Sequence, residues 1–224
     1  MSRLTEYRIF FREFRRNFHT TGSIMPSSGS LAKALSRYVG ASDDGNSTTG
    51  QRILEVGPGT GAVTSRIVRK MRDNDVFHLC ELNDSFVETL RQRFESEPAF
   101  QRVRDRATIL HQKVQDMPED ARYDVIISGL PLNNFSGDDV DEILQTFRTL
   151  LAPGGVLSFF EYVAVRPVRK VIGKKPERAR IRRVGELLHE LLSKHEIKRD
   201  LVPLNVPPAW AHHVRIEDGP REGA

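Results

Sequence analysis

The sequence predicts an α/β protein: a mostly parallel sheet of seven strands flanked by helices. Three observations predict it. Apolar strand segments alternate with amphipathic helical segments from residue 53 to residue 162. The first of these strands, Ile53–Val56, runs straight into Gly57-Pro58-Gly59-Thr60-Gly61 and then a helical stretch from Ala62 to about Arg72. The second, Val76–Cys80, ends on an acid, Glu81, twenty residues after Gly61. Ile53, Leu54 and Val56 read as the buried first strand of a parallel sheet.

The glycine stretch carries the chemistry. Glycine lets the backbone turn tightly and approach a ligand with no Cβ in the way. The helix that follows directs its positive end at that ligand. Gly57-x-Gly59-x-x-Ala62 satisfies the dinucleotide fingerprint, and Glu81 is placed to accept hydrogen bonds from ribose hydroxyls. Strand, turn, helix, strand and acid together imply an adenosine-containing cofactor in a Rossmann-like fold.

The remaining elements follow in order. Leu4, Tyr7, Phe10, Phe11, Phe14 and Phe18 recur at spacings of three and four, one aromatic face of a helix over about 3–18. Arg8, Arg12, Arg15 and Arg16 occupy much of the rest. Such a helix lies in a membrane interface or packs on its own domain with its arginines solvated. Ser27 or Ser28 is placed to cap a helix over about 30–39, where spare hydroxyls would suit a carboxylate or phosphate. Residues 40–50 read as a polar loop. Asn83 or Asp84 caps a helix that turns Phe86, Val87, Leu90 and Phe94 inward. Short strand 108–110 and strand 123–128 come next, the latter ending in Ser128-Gly129-Leu130-Pro131-Leu132. In open α/β sheets ligands sit beyond the carboxyl ends of the strands, so this segment abuts the reacting end of the cofactor. Helix 138–150, strand 156–162, a basic loop over 166–183, helix 183–194 and strands 197–202 and 209–216 complete the chain. The organisation expected is an amphipathic surface helix over 1–20, one catalytic domain over 21–217 and a tail over 218–224.

Composition narrows the setting. The single cysteine, Cys80, lies in an apolar strand and reads as core, and no disulfide is possible within the chain. The N-terminus has no apolar stretch of a secretory leader, and no run of about eighteen apolar residues exists to span a bilayer. No metal-ligand cluster stands out. The net charge of +4 conceals two patches: +3 over residues 1–20 and +8 over residues 166–183, which includes Arg166 and Arg169. An anionic partner surface is implied, lipid headgroups or nucleic acid.

Glu55-x-Gly57-x-Gly59-x-Gly61 resembles the first motif of class I S-adenosylmethionine-dependent methyltransferases. Wider stretches resemble the bacterial phospholipid N-methyltransferases of the Rhodobacter type and the related ornithine lipid N-methyltransferases. These are the aromatic-basic N-terminus, Gly22-Ser23-Ile24-Met25-Pro26-Ser27-Ser28, the glycine motif, Ser128-Gly129-Leu130-Pro131-Leu132, Ala152-Pro153-Gly154-Gly155 with Tyr162, and Asn205-Val206-Pro207-Pro208-Ala209. The resemblance implies S-adenosyl-L-methionine as cofactor and S-adenosyl-L-homocysteine as product. It assigns Gly57, Pro58, Gly59 and Gly61 to the methionine part, Glu55 to orienting that loop, and Glu81 with Leu82 to the ribose. Many methyltransferases place a Gly-Asp-Ala after strand three to hold adenine. Here Gln112-Lys113-Val114 stands there, so adenine falls to Val114, Gln115 or Asp116.

The implied reaction is methylation of a lipid headgroup amine, phosphatidylethanolamine or ornithine lipid, on the inner leaflet of the cytoplasmic membrane. Ser128, Gly129, Leu130 and Pro131 would line the acceptor pocket. Tyr162, Glu161 or His19 would assist loss of the ammonium proton, and Tyr162 would hold a methylated ammonium by its ring face or serve as core. Tyr7, Phe11, Arg12, Ser27, Ser28, Arg166 and Arg169 would meet the lipid. The rival is an rRNA adenine N6-dimethyltransferase, a family with Asn-Leu-Pro-Tyr after strand four. Here Ser128-Gly129 stands in register with the asparagine and Leu132 with the aromatic, so the stacking partner and base-edge acceptor that a flipped adenine needs are missing.

Overall fold

The computed structural model describes residues 29–41, 49–163 and 175–216. The strands are β1 (Arg52–Val56), β2 (Val76–Cys80), β3 (Ala107–Leu110), β4 (Tyr123–Ser128), β5 (Leu151–Tyr162), β6 (Glu196–Val202) and β7 (Ala209–Arg215). The helices are α1 (Gly29–Leu35), α2 (Thr64–Lys70), α3 (Asp84–Ser96), α4 (Pro98–Gln101), α5 (Gly137–Leu150) and α6 (Lys175–His195). All seven strands form one sheet in the order β3-β2-β1-β4-β5-β7-β6. Strands β1 to β5 pair in parallel, and β7 enters antiparallel between β5 and β6. Strand order reverses between β1 and β4, the crevice where ligands bind in such sheets.

Both faces of the sheet are covered. Leu54, Ile126, Leu157 and Val214 pack under α5 and α6, and Ile53, Phe77, Val125 and Ile127 pack under α1, α2 and α3. The near-continuous apolar runs in β1 and β4 follow from burial on both sides. Asn83 caps α3 by accepting from the N–H groups of Ser85 and Phe86, and Ser136 caps α5 in a reciprocal box with Asp139.

Some expected boundaries shift. Helix α2 begins at Thr64 rather than Ala62, because the glycine turn closes on itself first through Gly61 N–H to Pro58 O at 2.9 Å. Helix α1 ends at Leu35 and a turn carries the chain to Gly40. Strand β5 starts at Leu151, five residues early, because Pro153-Gly154-Gly155 is absorbed as an irregularity in the pairing with β4. Helix α6 starts at Lys175, so half of the expected basic loop is helix. Its Arg180 is turned inward, donating to the carbonyls of Asn133 and Phe135 at 2.8 Å each.

A polar chain ties the last strands to the turn after α1. Ser158 Oγ lies 2.8 Å from His213 Nδ1, His213 Nε2 lies 3.4 Å from Asp200 Oδ2, and Arg37 pairs with Asp200 at 2.7 Å. Ser158 and His213 are both fully buried, so this serine–histidine–aspartate chain is a strut and not a nucleophile. Burial pushes His213 down to about 4, which keeps the imidazole neutral.

Candidate active site

The site is built where β1 and β4 end side by side. Gly57, Gly59 and Gly61 take φ of 69°, 58° and 82°, left-handed values that other residues adopt only with strain. Gly57 N–H donates to Cys80 O at 2.9 Å, which bends the loop toward β2. A Cβ added at Gly59 would meet nothing within 4 Å, so the space above this peptide is open to a ligand.

Two acids frame the loop. Glu81, at the end of β2, accepts from Gly59 N–H at 3.0 Å through one oxygen and from Asn83 N–H at 2.8 Å through the other. It holds the glycine loop to the start of α3. Burial raises its pKa, and the backbone donors act the other way. Glu55 is buried within β1; its Oε2 accepts from Thr64 Oγ1 at 2.7 Å while Oε1 has no hydrogen-bond partner. Burial raises its pKa from 4.5 to about 8. An orphaned buried carboxylate oxygen is costly unless a bound cation or donor completes it. The open cradle over Gly59 and this acceptor both fit the amino acid end of an adenosylated methionine.

That shift has a measurable consequence. An acid whose pKa rises on folding supports stability below its unfolded pKa and loses that support as pH rises through the folded value. The window here runs from 4.5 to about 8. Glu55→Gln is therefore expected to melt at a higher temperature than the native chain, by a margin that widens with pH across that window. Thermal melts over a pH series check it, and a margin independent of pH would refute it.

Sequence-predicted residues converge on one narrow cleft. Gly57, Glu81, Leu82, Val114, Gln115 and Leu130 all line it, with Cys80, Gln112 and Lys113 between them. Asp116, offered as an alternative for adenine, is exposed and does not line it. The loops after β1 and β4 touch: Gly129 N–H donates to Val56 O at 2.8 Å, and a Cβ at Gly129 would stand 2.5 Å from the carbonyl oxygen of Gly57. A Cβ at Gly57 would stand 2.7 Å from the Leu130 side chain. Ser128 Oγ accepts from Leu130 N–H at 3.3 Å and holds the second loop.

Glu161 and Tyr162 end β5 on opposite faces of the sheet, as strand alternation requires. Tyr162 packs edge-on against Phe160, and burial raises its pKa. A phenol in that state is a hydrogen-bond or ring-face partner and not a base. Glu161 accepts from Asn133 Nδ2 at 3.5 Å, and its other oxygen lies 3.6 Å from His212 Nε2. His212 Nδ1 lies 2.6 Å from Glu196. A carboxylate, an imidazole and a second carboxylate thus run in line from the carboxyl edge into the sheet. Sequence reasoning missed His212 and Glu196, because only the pairing of β7 between β5 and β6 brings them together. It also missed Arg93, which donates to the carbonyls of Thr60 and Gly61 at 2.8 Å each and braces the glycine loop from α3. The Arg93–Glu97 spacing on a helix was its one visible signal.

Tyr7, Phe11, Arg12, His19, Ser27, Ser28, Arg166 and Arg169 lie outside the described residues. Among the described residues no helix is long and apolar enough to cross a membrane, and no cluster of His, Cys, Asp and Glu is arranged to hold a metal.

Comparison with known proteins agrees with this geometry. Residues 54–157 match the family model described as a methyltransferase domain. An ornithine lipid N-methyltransferase of Singulisphaera acidiphila is 24% identical over 159 residues, covering 69% of this chain and 77% of that protein. The ubiquinone/menaquinone biosynthesis C-methyltransferase UbiE of Vibrio parahaemolyticus is 27% identical over 148 residues, 66% of this chain; the chain spans 53% of that relative's length. Among solved structures, the 1,6-didemethyltoxoflavin-N1-methyltransferase of Burkholderia thailandensis superposes with a TM-score of 0.63 at 16% identity, covering 97% of this chain and 92% of that one. The O-methyltransferase TomG of Streptomyces achromogenes superposes at 0.57 and 17% identity, covering 84% and 78%. The fold is that of the class I methyltransferases, and the segment holding the glycine loop and both acids is a methyltransferase domain.

Proposed function

We propose that this methyltransferase takes its methyl group from S-adenosyl-L-methionine and delivers it to the amine of a membrane lipid headgroup, phosphatidylethanolamine or ornithine lipid. The observation that carries the reading is the ornithine lipid N-methyltransferase relative, whose match takes in 77% of its own length, against 53% for the UbiE relative. The resemblance of Ser128-Gly129-Leu130-Pro131-Leu132 and of the Gly22–Ser28 segment to phospholipid N-methyltransferases adds to it. The absence from this segment of the asparagine and aromatic that grip a flipped adenine weighs against an RNA substrate.

When bound, S-adenosyl-L-methionine would supply an electrophilic methyl to an amine lone pair, the C–N bond forming as the C–S bond breaks and the thioether product leaves. Gly59 would leave room for the amino acid end within the left-handed turn that Gly57 and Gly61 complete, Glu55 would orient that loop from within β1, and Glu81 and Leu82 would hold the ribose. Val114 and Gln115 flank the adenine. Leu130 and Pro131 exclude water from the transfer and set the approach, because alignment supplies much of the acceleration in such displacements. A lipid ammonium must first lose a proton. Glu161 is the acceptor of choice, with His212 beside it to take the proton on toward Glu196. Tyr162 offers its ring to the methylated cation.

The decisive experiment is expression in a host that lacks methylated lipids, followed by lipid mass spectrometry. New species heavier by one or more methyl groups are expected. Unchanged lipids, together with methylation of structured RNA by the purified protein, would transfer the reading to the rRNA enzymes. The aromatic-basic segment over 1–20 is read as the part that brings the site to the inner leaflet. Deleting residues 1–19 is expected to weaken sedimentation with phosphatidylglycerol vesicles and lower lipid turnover while leaving S-adenosyl-L-homocysteine affinity unchanged. Binding by the full chain should weaken with salt as the arginines are screened. Equal sedimentation with neutral and anionic vesicles would refute this.

A further inference from the structure

A second cleft, of about 500 Å³, lies between α1, α2 and the end of β6, away from the cofactor loop. Four bases line it: Lys33 from α1, Arg37 from the turn that follows it, and Arg66 and Lys70 from α2. One acid stands among them, Asp200, and it is already paired with Arg37. Lys70 is turned onto the turn after α1, donating to the carbonyls of Ser36 and Arg37. Its pKa is lowered by burial first and then by the neighbouring Arg66 and Arg37 cations. The cleft therefore carries an uncompensated positive field in partly dehydrated surroundings, where an anion is held far more strongly than on an open surface.

Its rim is apolar. Leu201 and Leu204 line the cleft and are 49% and 80% exposed. Val206 and Val163, 55% and 42% exposed, stand close by in the chain, since Val163 N–H donates to Pro208 O at 2.9 Å. These four account for most of the large apolar side chains that the described residues expose. Strand β6 runs in the same direction as β5, each being antiparallel to β7. The apolar rim therefore sits at the same carboxyl edge of the sheet as the glycine loop. A cationic cleft with an apolar lip has the chemistry of an amphiphile site, anionic head inward and chains along the lip.

We propose that this cleft binds the phosphodiester headgroup of a glycerophospholipid, with Lys33, Arg37 and Arg66 on the phosphate and Leu201 and Leu204 against the first carbons of its chains. The bound lipid is a neighbour of the methyl acceptor in the same leaflet. It fixes how the carboxyl edge sits on the membrane. The inference rests on the lipid reading of function but not on which lipid amine is methylated.

The test is titration of the full chain with monomeric dihexanoyl-phosphatidylglycerol, with no methyl donor present. Inorganic phosphate and a neutral short-chain diacylglycerol are titrated in parallel. Saturable binding of the phospholipid is expected. Lys33→Glu with Arg66→Glu is expected to weaken it about tenfold or more, the loss of one charge-assisted contact or better. Leu204→Asp should weaken it several-fold. Native affinity for S-adenosyl-L-homocysteine in each variant shows that the fold is kept. Phosphate binding as tight as the phospholipid's would make this a site for a free anion and overturn the lipid assignment. Equal binding of the neutral lipid, or unchanged affinity in the double variant, would overturn the site. None of these outcomes depends on methyl transfer, which the lipid mass spectra test separately.

Discussion

Gly59→Val is expected to lower affinity for S-adenosyl-L-methionine and S-adenosyl-L-homocysteine by roughly 100-fold or more, ~2.8 kcal/mol, with the fold retained. The reason lies in what surrounds this residue. Its φ is 58°, and a Cβ there meets no protein atom within 4 Å. The added Cβ therefore does not collide with the domain; the valine side chain fills the ligand's space. The backbone strain costs about 1–2 kcal/mol, which lowers the melting temperature by several degrees in a chain of this size. Its N–H, which donates to Glu81 Oε2 at 3.0 Å, is retained by any residue but proline. Calorimetry with S-adenosyl-L-homocysteine separates the two effects, and native-like affinity in a folded variant would remove the assignment of this loop.

Glu161→Gln is the second large effect. Turnover on a lipid amine should fall by roughly 10²-fold to 10⁴-fold, the usual worth of a positioned base, with cofactor affinity unchanged. Glutamine keeps the acceptor for Asn133, so the loop after β4 stays in place. The deficit should narrow as the assay pH approaches that of primary alkyl-amine ionisation, about 10, because the substrate then arrives without its proton. Loss of turnover at every pH alike would make Glu161 a positioning residue. Unchanged turnover would refute its place in the chemistry altogether.

How much of this was legible in the sequence depends on how local the cause is. The glycine loop, Glu55 and Glu81 were legible because a tight turn after a buried strand constrains residues close in the chain. Strand limits for β2 and β4 were legible from apolar runs bounded by turn residues. Helix α6 was read eight residues short, since the arginines that fill its first turns carry no apolar period to mark a helix. The inward turn of Arg180 is tertiary: its partners, Asn133 and Phe135, are more than forty residues away. The same holds for Glu161, His212 and Glu196, which neighbour one another only because β7 is inserted antiparallel. The basic cleft joins two helices and a strand end that no sequence period connects.

The contact between the loops after β1 and β4 reaches beyond geometry. Gly129 is pressed against the carbonyl of Gly57, and Gly57 against the side chain of Leu130. In the proposed reaction, methyl donor and acceptor would be served by two segments some seventy residues apart that admit change only in concert. Substrate range in this scaffold cannot drift by altering position 129 alone, because any side chain there pushes the donor loop out of shape. In the proposed reaction, new acceptors would be accommodated from farther out, at the strand end of Glu161 and Tyr162. That division gives the chain a fixed hinge of inheritance around the donor and a free margin around the acceptor.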